Sequence, residues 1–274
     1  MTRISSKMTG FVGALFLCFA LAAPPAFAVE KDESRWNHLR EMLFQDRTIH
    51  DGEAILTLEA PKRAHDAAVV PVSIRPAFAQ SADRHIKTIT LVIDDNPSPI
   101  AGRFHFTEKS GIAAVSTRVR VNSYTNMRAI AETDDGELYM TKRFVKASGG
   151  CSAPAGKDMD AAMARIGKMK LRQSEAPVLG EPSPIQVLLS HPNSTGMQMD
   201  QLTRHYVPAH FVKRMEVQYR NEAILTVESD ISLSEDPSLQ FYFVPDGPGE
   251  LEVKAIDSKD QTWTGSWSIP GVDS

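Results

Sequence analysis

Residues 127–145, MRAIAETDDGELYMTKRFV, decide the fold class. Two β-prone runs, MRAIAET and ELYMTKRFV, flank Asp134-Asp135-Gly136. A short Asp-Gly connection between such runs closes an antiparallel hairpin, because Gly readily takes the positive φ that the turn requires. Working back from the hairpin, the runs AILTLEA (54–60), VVPVSI (69–74), HIKTITLVID (85–94), GRFHFT (102–107) and STRVRV (116–121) read as further strands. Asn96-Pro97-Ser98-Pro99 breaks the ladder, since proline has no N–H to donate. Six or seven short strands in about a hundred residues predict an antiparallel β-sandwich. Before them, Trp36, Leu39, Met42 and Leu43 recur at helical spacing, so a short amphipathic helix covers one edge.

Beyond the hairpin, FVKRMEVQYR (211–220) places Met215, Val217 and Tyr219 on one face and Arg214, Glu216 and Gln218 on the other. AILTVES, LQFYFV, ELEVKAI and TWTGSWSI follow, separated by Pro245-Asp246-Gly247-Pro248-Gly249 and Asp257-Ser258-Lys259-Asp260. The pattern predicts a second sandwich. The chain is therefore read as mainly β, with two β-sandwich domains in tandem.

Between them lies SGGCSAPAG (148–156), a cysteine among residues with almost no side chains to pack. Met159, Ala162, Met163, Ile166 and Met169 then form one helical stripe, with Asp158 as N-cap and Lys168, Lys170 and Arg172 near its end. Pro177 and Gly180-Glu181-Pro182-Ser183-Pro184 read as a linker. The stripe is core packing rather than a copper site, because methionine fills irregular gaps well.

The first 28 residues read as a secretory signal peptide. Arg3 and Lys7 precede the apolar run from Phe11 to Ala23, and Ala26-Phe27-Ala28 supplies a small-x-small cleavage site. Removing 1–28 takes two cations and no acid, which moves the formal net charge from −4 to −6. An acidic chain without clustered Lys and Arg is a poor nucleic-acid binder. Removal also takes Cys18, so that Cys151 is the one cysteine left of the two. An exported protein with a single thiol has no internal disulfide, and the thiol is open to oxidation or cross-linking. The mature chain has no apolar stretch long enough for a transmembrane helix.

No enzyme signature is present: no P-loop, no dinucleotide fingerprint, no G-x-S-x-G and no HExxH. No cofactor is implied. His205 and His210 lie five apart around Pro208, and with His191, Met197 and Met199 they offer imidazole and thioether ligands for copper. Turn and packing roles account for the same residues without a metal. A cysteine nucleophile would need a rigid thiol beside an imidazole, whereas Cys151 sits between Gly149-Gly150 and Ser152-Ala153. A thiol on a flexible segment suits a different task, holding cargo covalently while other proteins act on it. Lys146 and Lys157 flank the stretch and either raise the thiolate fraction, hold an anionic cargo or are solvated surface charges.

The first half resembles SoxY, the sulfur-carrier subunit of bacterial thiosulfate oxidation, through VVPVSI, DDNPSPIAGRFHFT, STRVRV, the ELYM hairpin and Gly149-Gly150-Cys151. The second half is similar to its partner subunit SoxZ through His191-Pro192, Ser194-Thr195-Gly196, VPAHFV and the strand carrying Val217 and Tyr219. Both in order, the chain resembles the fused SoxYZ-like carriers associated with quinoprotein dehydrogenases. The resemblance implies two immunoglobulin-like sandwiches, with a SoxY-like domain at 29–148, the carrier loop, helix and linker at 149–184, and a SoxZ-like domain at 185–274. It implies Cys151 as the covalent attachment point and Gly149 and Gly150 as the source of loop flexibility. It implies a periplasmic non-enzyme whose partners are oxidoreductases or cytochromes and a small sulfur-containing cargo, linked to quinoprotein alcohol dehydrogenase systems. In SoxY the motif Gly-Gly-Cys-Gly-Gly ends the chain. Here Ser152-Ala153-Pro154, a helix and a whole domain follow, so the loop is tethered at both ends. The alternative function is an immunoglobulin-like interaction scaffold for a periplasmic dehydrogenase, with Cys151 incidental or cross-linked between chains.

Overall fold

The computed structural model describes residues 2, 33–154, 159–201 and 203–270. The signal segment other than Thr2, the N-cap Asp158 and the flanking Lys157 lie outside the described residues. Helix α1 (Ser34–Phe44) opens the described fold and is followed by strands β1 (Ile49–Asp51), β2 (Leu56–Glu59), β3 (Val70–Pro76) and β4 (Ile86–Ile93). Strands β5 (Ile100–Phe106), β6 (Val115–Val119), β7 (Thr125–Thr133) and β8 (Leu138–Val145) complete the first half. The connection holds α2 (Met159–Met163) and β9 (Met169–Arg172). The second half adds β10 (Ser183–Leu189), β11 (Val212–Tyr219), β12 (Glu222–Ser229), β13 (Ser238–Phe243), β14 (Gly249–Asp257) and β15 (Thr262–Ile269).

The expected hairpin is present as β7 and β8, with Glu132 opposite Leu138. Thr133 and Glu137 close it through a backbone bond of 3.0 Å, and Gly136 takes φ +87°. Strand β7 is buried along nearly its whole length, which one sheet face alone does not explain. Its Met127, Ala129 and Ala131 enter the main core. Ile130, on the other face, packs with Val92, Leu138, Trp36 and Leu39 under α1. The amphipathic helix thus covers the outer face of the sheet that carries the hairpin.

The chain is mainly β, with both halves built as sandwiches, and the two are continuous. A nine-stranded sheet runs β1-β8-β7-β4-β5-β12-β11-β14-β15, and a six-stranded sheet runs β2-β3-β6-β13-β10-β9. The halves meet in both sheets. Strand β5 pairs antiparallel with β12 from Phe106–Leu225 to Gly102–Ser229. Strand β6 meets β13 at Ser116–Gln240. Pairing edge to edge satisfies backbone groups that separate sandwiches would leave open. One core follows, joining Leu58, Ile89 and Phe104 of the first half to Val217, Leu239 and Phe241 of the second.

The connecting segment differs from its expected form. The helical stripe stops at Met163, and Met169 begins a strand instead. Gly167 takes φ +79°, which ends helical geometry, and its N–H reaches Ser190 O at 2.8 Å. Met169 then lies opposite Leu189, so that β9 forms the edge of the six-stranded sheet. An unpaired edge beside β10 outweighs the helical period of a few apolar residues. The Ser183-Pro184 part of the expected linker is already strand β10, with Pro184 opposite Tyr242.

Candidate functional site

Strand β8 leads into the cysteine segment, whose backbone lies along the first half. Gly149 N–H donates to Asn122 O at 2.8 Å and Gly150 N–H to Val121 O at 2.9 Å. The two glycines differ in role. Gly149 takes φ +78° with open space where a Cβ would be. At Gly150 a Cβ would stand 2.0 Å from Ala67 O and 2.7 Å from Val121 O. Gly150 is therefore required by close backbone approach, and flexibility is not its role in this state.

Side chains of the second half hold the segment from the other side. Thr195 Oγ1 donates to Cys151 O at 2.6 Å, and Gln198 Nε2 donates to Ala153 O at 3.0 Å. Gln198 Oε1 in turn accepts the Thr195 N–H at 3.1 Å, which fixes the pair relative to each other. Cys151 is consequently 0% exposed. The exposed thiol expected from its small neighbours is corrected. Small residues here permit tight seating between two halves, because there are no side chains to hold the backbone away.

Burial pushes the Cys151 thiol up to about 11, and the positive charge of Arg120 opposes that rise. Arg120 belongs to the first half, one residue beyond β6, and is 2% exposed. Its N–H donates to Ser232 O at 2.8 Å and its carbonyl accepts from Asn96 Nδ2 at 2.8 Å. Its guanidinium Nη2 donates to Asn193 O at 3.2 Å, while the buried Nε has no hydrogen-bond partner among the described residues. Burial lowers the Arg120 pKa from its ordinary value, and the charges of Cys151, Glu235 and Asp66 oppose that shift. Arg120 was legible only as a residue of STRVRV, a run read as a strand.

The histidines resolve differently from the copper reading. His191 and His210 come together with ring centroids 4.6 Å apart, but their third neighbour is Asp257. His205 is exposed and Met199 pairs with Tyr206 in a local bridge. Asp257 Oδ2 meets His210 Nε2 at 2.5 Å, and Asp257 Oδ1 accepts the Lys259 and Gln261 N–H groups at 2.8 Å each. The Asn193 N–H donates to His191 Nδ1 at 3.0 Å. Neutral His191 therefore carries its proton on Nε2, 3.6 Å from Asp257 Oδ2. A protonated Nε2 has no lone pair for a metal, and metal-binding histidines donate through their second nitrogen rather than accept. The trio is a buried polar cluster in which His210 is hydrogen-bonded to Asp257, while His191 Nε2 has no hydrogen-bond partner among the described residues. Burial and the charge of His210 lower the His191 pKa to about 4.

The cluster supports the same ground as the cysteine segment. Asn193 accepts from Arg120, donates through its own N–H to His191 and accepts from Val212 N–H through Oδ1 at 2.9 Å. His191, Asn193 and Thr195 thus form one buried strip between the histidine cluster and Cys151.

Comparisons with known proteins agree with this division into halves. The family model "Sulfur oxidation protein SoxY" matches residues 40–151, and "Sulphur oxidation protein SoxZ" matches residues 170–268. A search of the curated proteins finds no match. Among solved structures, the sulfur carrier protein SoxY from Chlorobium limicola f thiosulfatophilum is 24% identical with a TM-score of 0.35, covering 42% of this chain and 92% of that one. A superoxide reductase (neelaredoxin) from Ignicoccus hospitalis is 18% identical with a TM-score of 0.31, covering 35% and 79%. Fibronectin(III)-like modules of Clostridium thermocellum CbhA are 13% identical with a TM-score of 0.24, covering 79% and 94%. The chain is thus a SoxY domain and a SoxZ domain of the sulfur-oxidation protein families fused in one polypeptide, with Cys151 as the last residue of the SoxY match.

Proposed function

We propose that this protein is a periplasmic carrier that holds a small sulfur-containing group covalently on Cys151 and presents it to partner oxidoreductases. The observation that carries the reading is the position of Cys151. It closes the SoxY match and is held by Thr195 and Gln198 of the SoxZ half. A carrier needs a thiol that is protected between encounters and reactive during them. In the seated state the thiol is protonated at neutral pH, since its pKa is about 11. Released into water, a thiol returns toward its ordinary value of about 8.5, and a few per cent is then thiolate at pH 7.

Release requires residues 149–154 to leave their groove, and both ends of the loop stay attached. Loading from thiosulfate joins Cys151 Sγ to the terminal sulfur of the anion. The thiol proton goes to solvent, an S–S bond forms and two electrons pass to an acceptor in the partner. An oxidoreductase or cytochrome of a quinoprotein alcohol dehydrogenase system is such an acceptor.

Intact-mass measurement of protein purified from the periplasm tests the reading, with Cys151→Ser as control. A sulfur-containing adduct on the wild type alone is the expected result. A bare thiol under every growth condition, with a fully functional serine variant, overturns it.

The complete burial of Cys151 favours one other reading, in which the chain is a scaffold for a dehydrogenase and the thiol is only a packing residue. Pull-down with the serine variant separates the two. A scaffold keeps its partner and its phenotype, whereas a carrier keeps the partner and loses the phenotype.

A further inference from the structure

Arg120 is a buried cation on which the charges of half-buried Glu235 and exposed Asp66 act only from beyond ion-pair distance. Among the described residues it forms no ion pair, its one side-chain hydrogen bond is the 3.2 Å contact to Asn193 O, and its Nε–H is unpartnered. A buried guanidinium without a direct ion pair and with an unpartnered N–H is destabilising, so the site has room for an anionic partner. The same two chain segments bracket Arg120 and Cys151. On one side Val121, which follows Arg120, accepts from Gly150, which precedes Cys151. On the other side Asn193 accepts from Arg120, while Thr195, two residues on, donates to Cys151 O.

We infer that Arg120 receives the negatively charged end of a group carried on Cys151 Sγ, which makes the seated segment a closed binding site for an anionic sulfur adduct. The inference rests on the carrier reading and names the chemistry of its cargo. A guanidinium offers several N–H donors in a planar fork, which matches the oxygens of a sulfonate better than it matches a neutral thiol. Arg120 then serves as a positioning and selectivity residue. It holds charged adducts in the groove, where Thr195 and Gln198 keep the loop closed, and it gives neutral adducts no such advantage.

The purified full-length protein tests this without any partner. Tetrathionate loads Cys151: the thiolate attacks one central sulfur, an S–S bond forms, and thiosulfate leaves, giving Cys151–S–S–SO₃⁻. tert-Butyl methanethiosulfonate loads a neutral group of the same shape, with methanesulfinate as leaving group, giving Cys151–S–S–C(CH₃)₃. The rate at which dithiothreitol strips each adduct reports how well it is held in the groove. In the wild type, the sulfonate adduct is expected to be stripped about tenfold or more slowly, relative to the same adducts on the unfolded chain. In Arg120→Met that difference is lost, and Arg120→Lys restores part of it. Equal protection of both adducts in the wild type overturns the inference, whether or not the Met variant folds. So does an Arg120→Met variant that loses protection of both adducts equally, because that is the behaviour of a purely structural arginine. If cells never load Cys151 the carrier reading fails, while the comparison of charged and neutral adducts still decides the role of Arg120.

Discussion

Thr195 Oγ1 donates to Cys151 O at 2.6 Å, a bond that runs from the SoxZ half to the cysteine of the SoxY half. Forty-four residues separate the two in sequence. The bond ties the position of the thiol to the contact between the halves, and removing it loosens the loop while leaving the thiol chemistry intact.

Thr195→Val keeps the shape of the side chain and removes the hydroxyl. A net contribution of about 1 kcal/mol for one hydrogen bond corresponds to a roughly fivefold larger open population. Alkylation of Cys151 by iodoacetamide, followed by intact mass, is expected to accelerate by about that factor. An unchanged rate rules out Thr195 as a latch.

Gly150→Ala and Gly149→Ala are expected to differ in size. The Gly150 Cβ would stand 2.0 Å from Ala67 O, so the segment cannot seat without backbone movement. Cys151 of that variant is expected to alkylate nearly as fast as in a free peptide. Gly149→Ala meets no atom within 4 Å and incurs only the strain of positive φ, about 1–2 kcal/mol. A freely swinging loop would show equally fast alkylation in the wild type and both variants, so the ordering of the three rates is the check.

Acid is expected to destabilise the fold through the His191 cluster. The His191 pKa is lowered to about 4 in the folded protein, against about 6.5 when unfolded. Between these values the unfolded chain binds the extra proton, so stability falls as pH drops from about 6.5 to about 4. The full effect is at most about 3 kcal/mol. Asp257, lowered chiefly by its hydrogen bond from His210 against the opposing effect of burial, loses its contribution at still lower pH and acts in the same direction. His191→Asn retains an acceptor for the Asn193 N–H and removes the titration. Urea midpoints measured from pH 4.5 to 7 should show a flatter slope in that variant, and an unchanged slope rejects the assignment.

Arg128 and Asp94 form the buried ion pair under α1. Arg128 Nε lies 3.0 Å from both carboxylate oxygens, Nη2 lies 2.9 Å from Oδ2, and the guanidinium sits 4.4 Å above the Trp36 ring. Arg128→Met takes away the guanidinium that meets both oxygens of the Asp94 carboxylate and is expected to cost about 3–5 kcal/mol in chemical denaturation. Adding Asp94→Asn should recover a large part of the loss, because the buried carboxylate charge that Arg128 met is then removed as well. A double variant as unstable as the single one shows that packing against Trp36, and not charge, governs the site.

The local elements were legible because each follows from a local rule. Strands β4 and β11 fall within runs read from alternation, β3, β5 and β6 overlap runs read as β-prone, and the 134–136 turn follows from Asp-Gly chemistry. Cys151 was legible as the candidate cargo site because it is the only cysteine outside the signal stretch. Asp257 was visible only as a turn residue, since nothing local shows that its carboxylate faces two histidines far away in sequence. The stripe after Asp158 was read as one helix because its period is helical, and pairing of Met169 with Leu189 overrode that preference.

The sequence alone determined two β-sandwich halves, a covering helix and a single thiol between them, because period, turn chemistry and cysteine count are properties of short stretches. Only the tertiary structure decided that the halves share both sheets, that Gly150 is fixed by Ala67 and that the thiol is buried beside Arg120. Arg120 stands between Val119 and Val121, which enter the core, so its side chain lies on the opposite face of the chain. Residues 193–195 of the other half cover that face, and a local pattern has no access to which surface a distant part of the chain will meet.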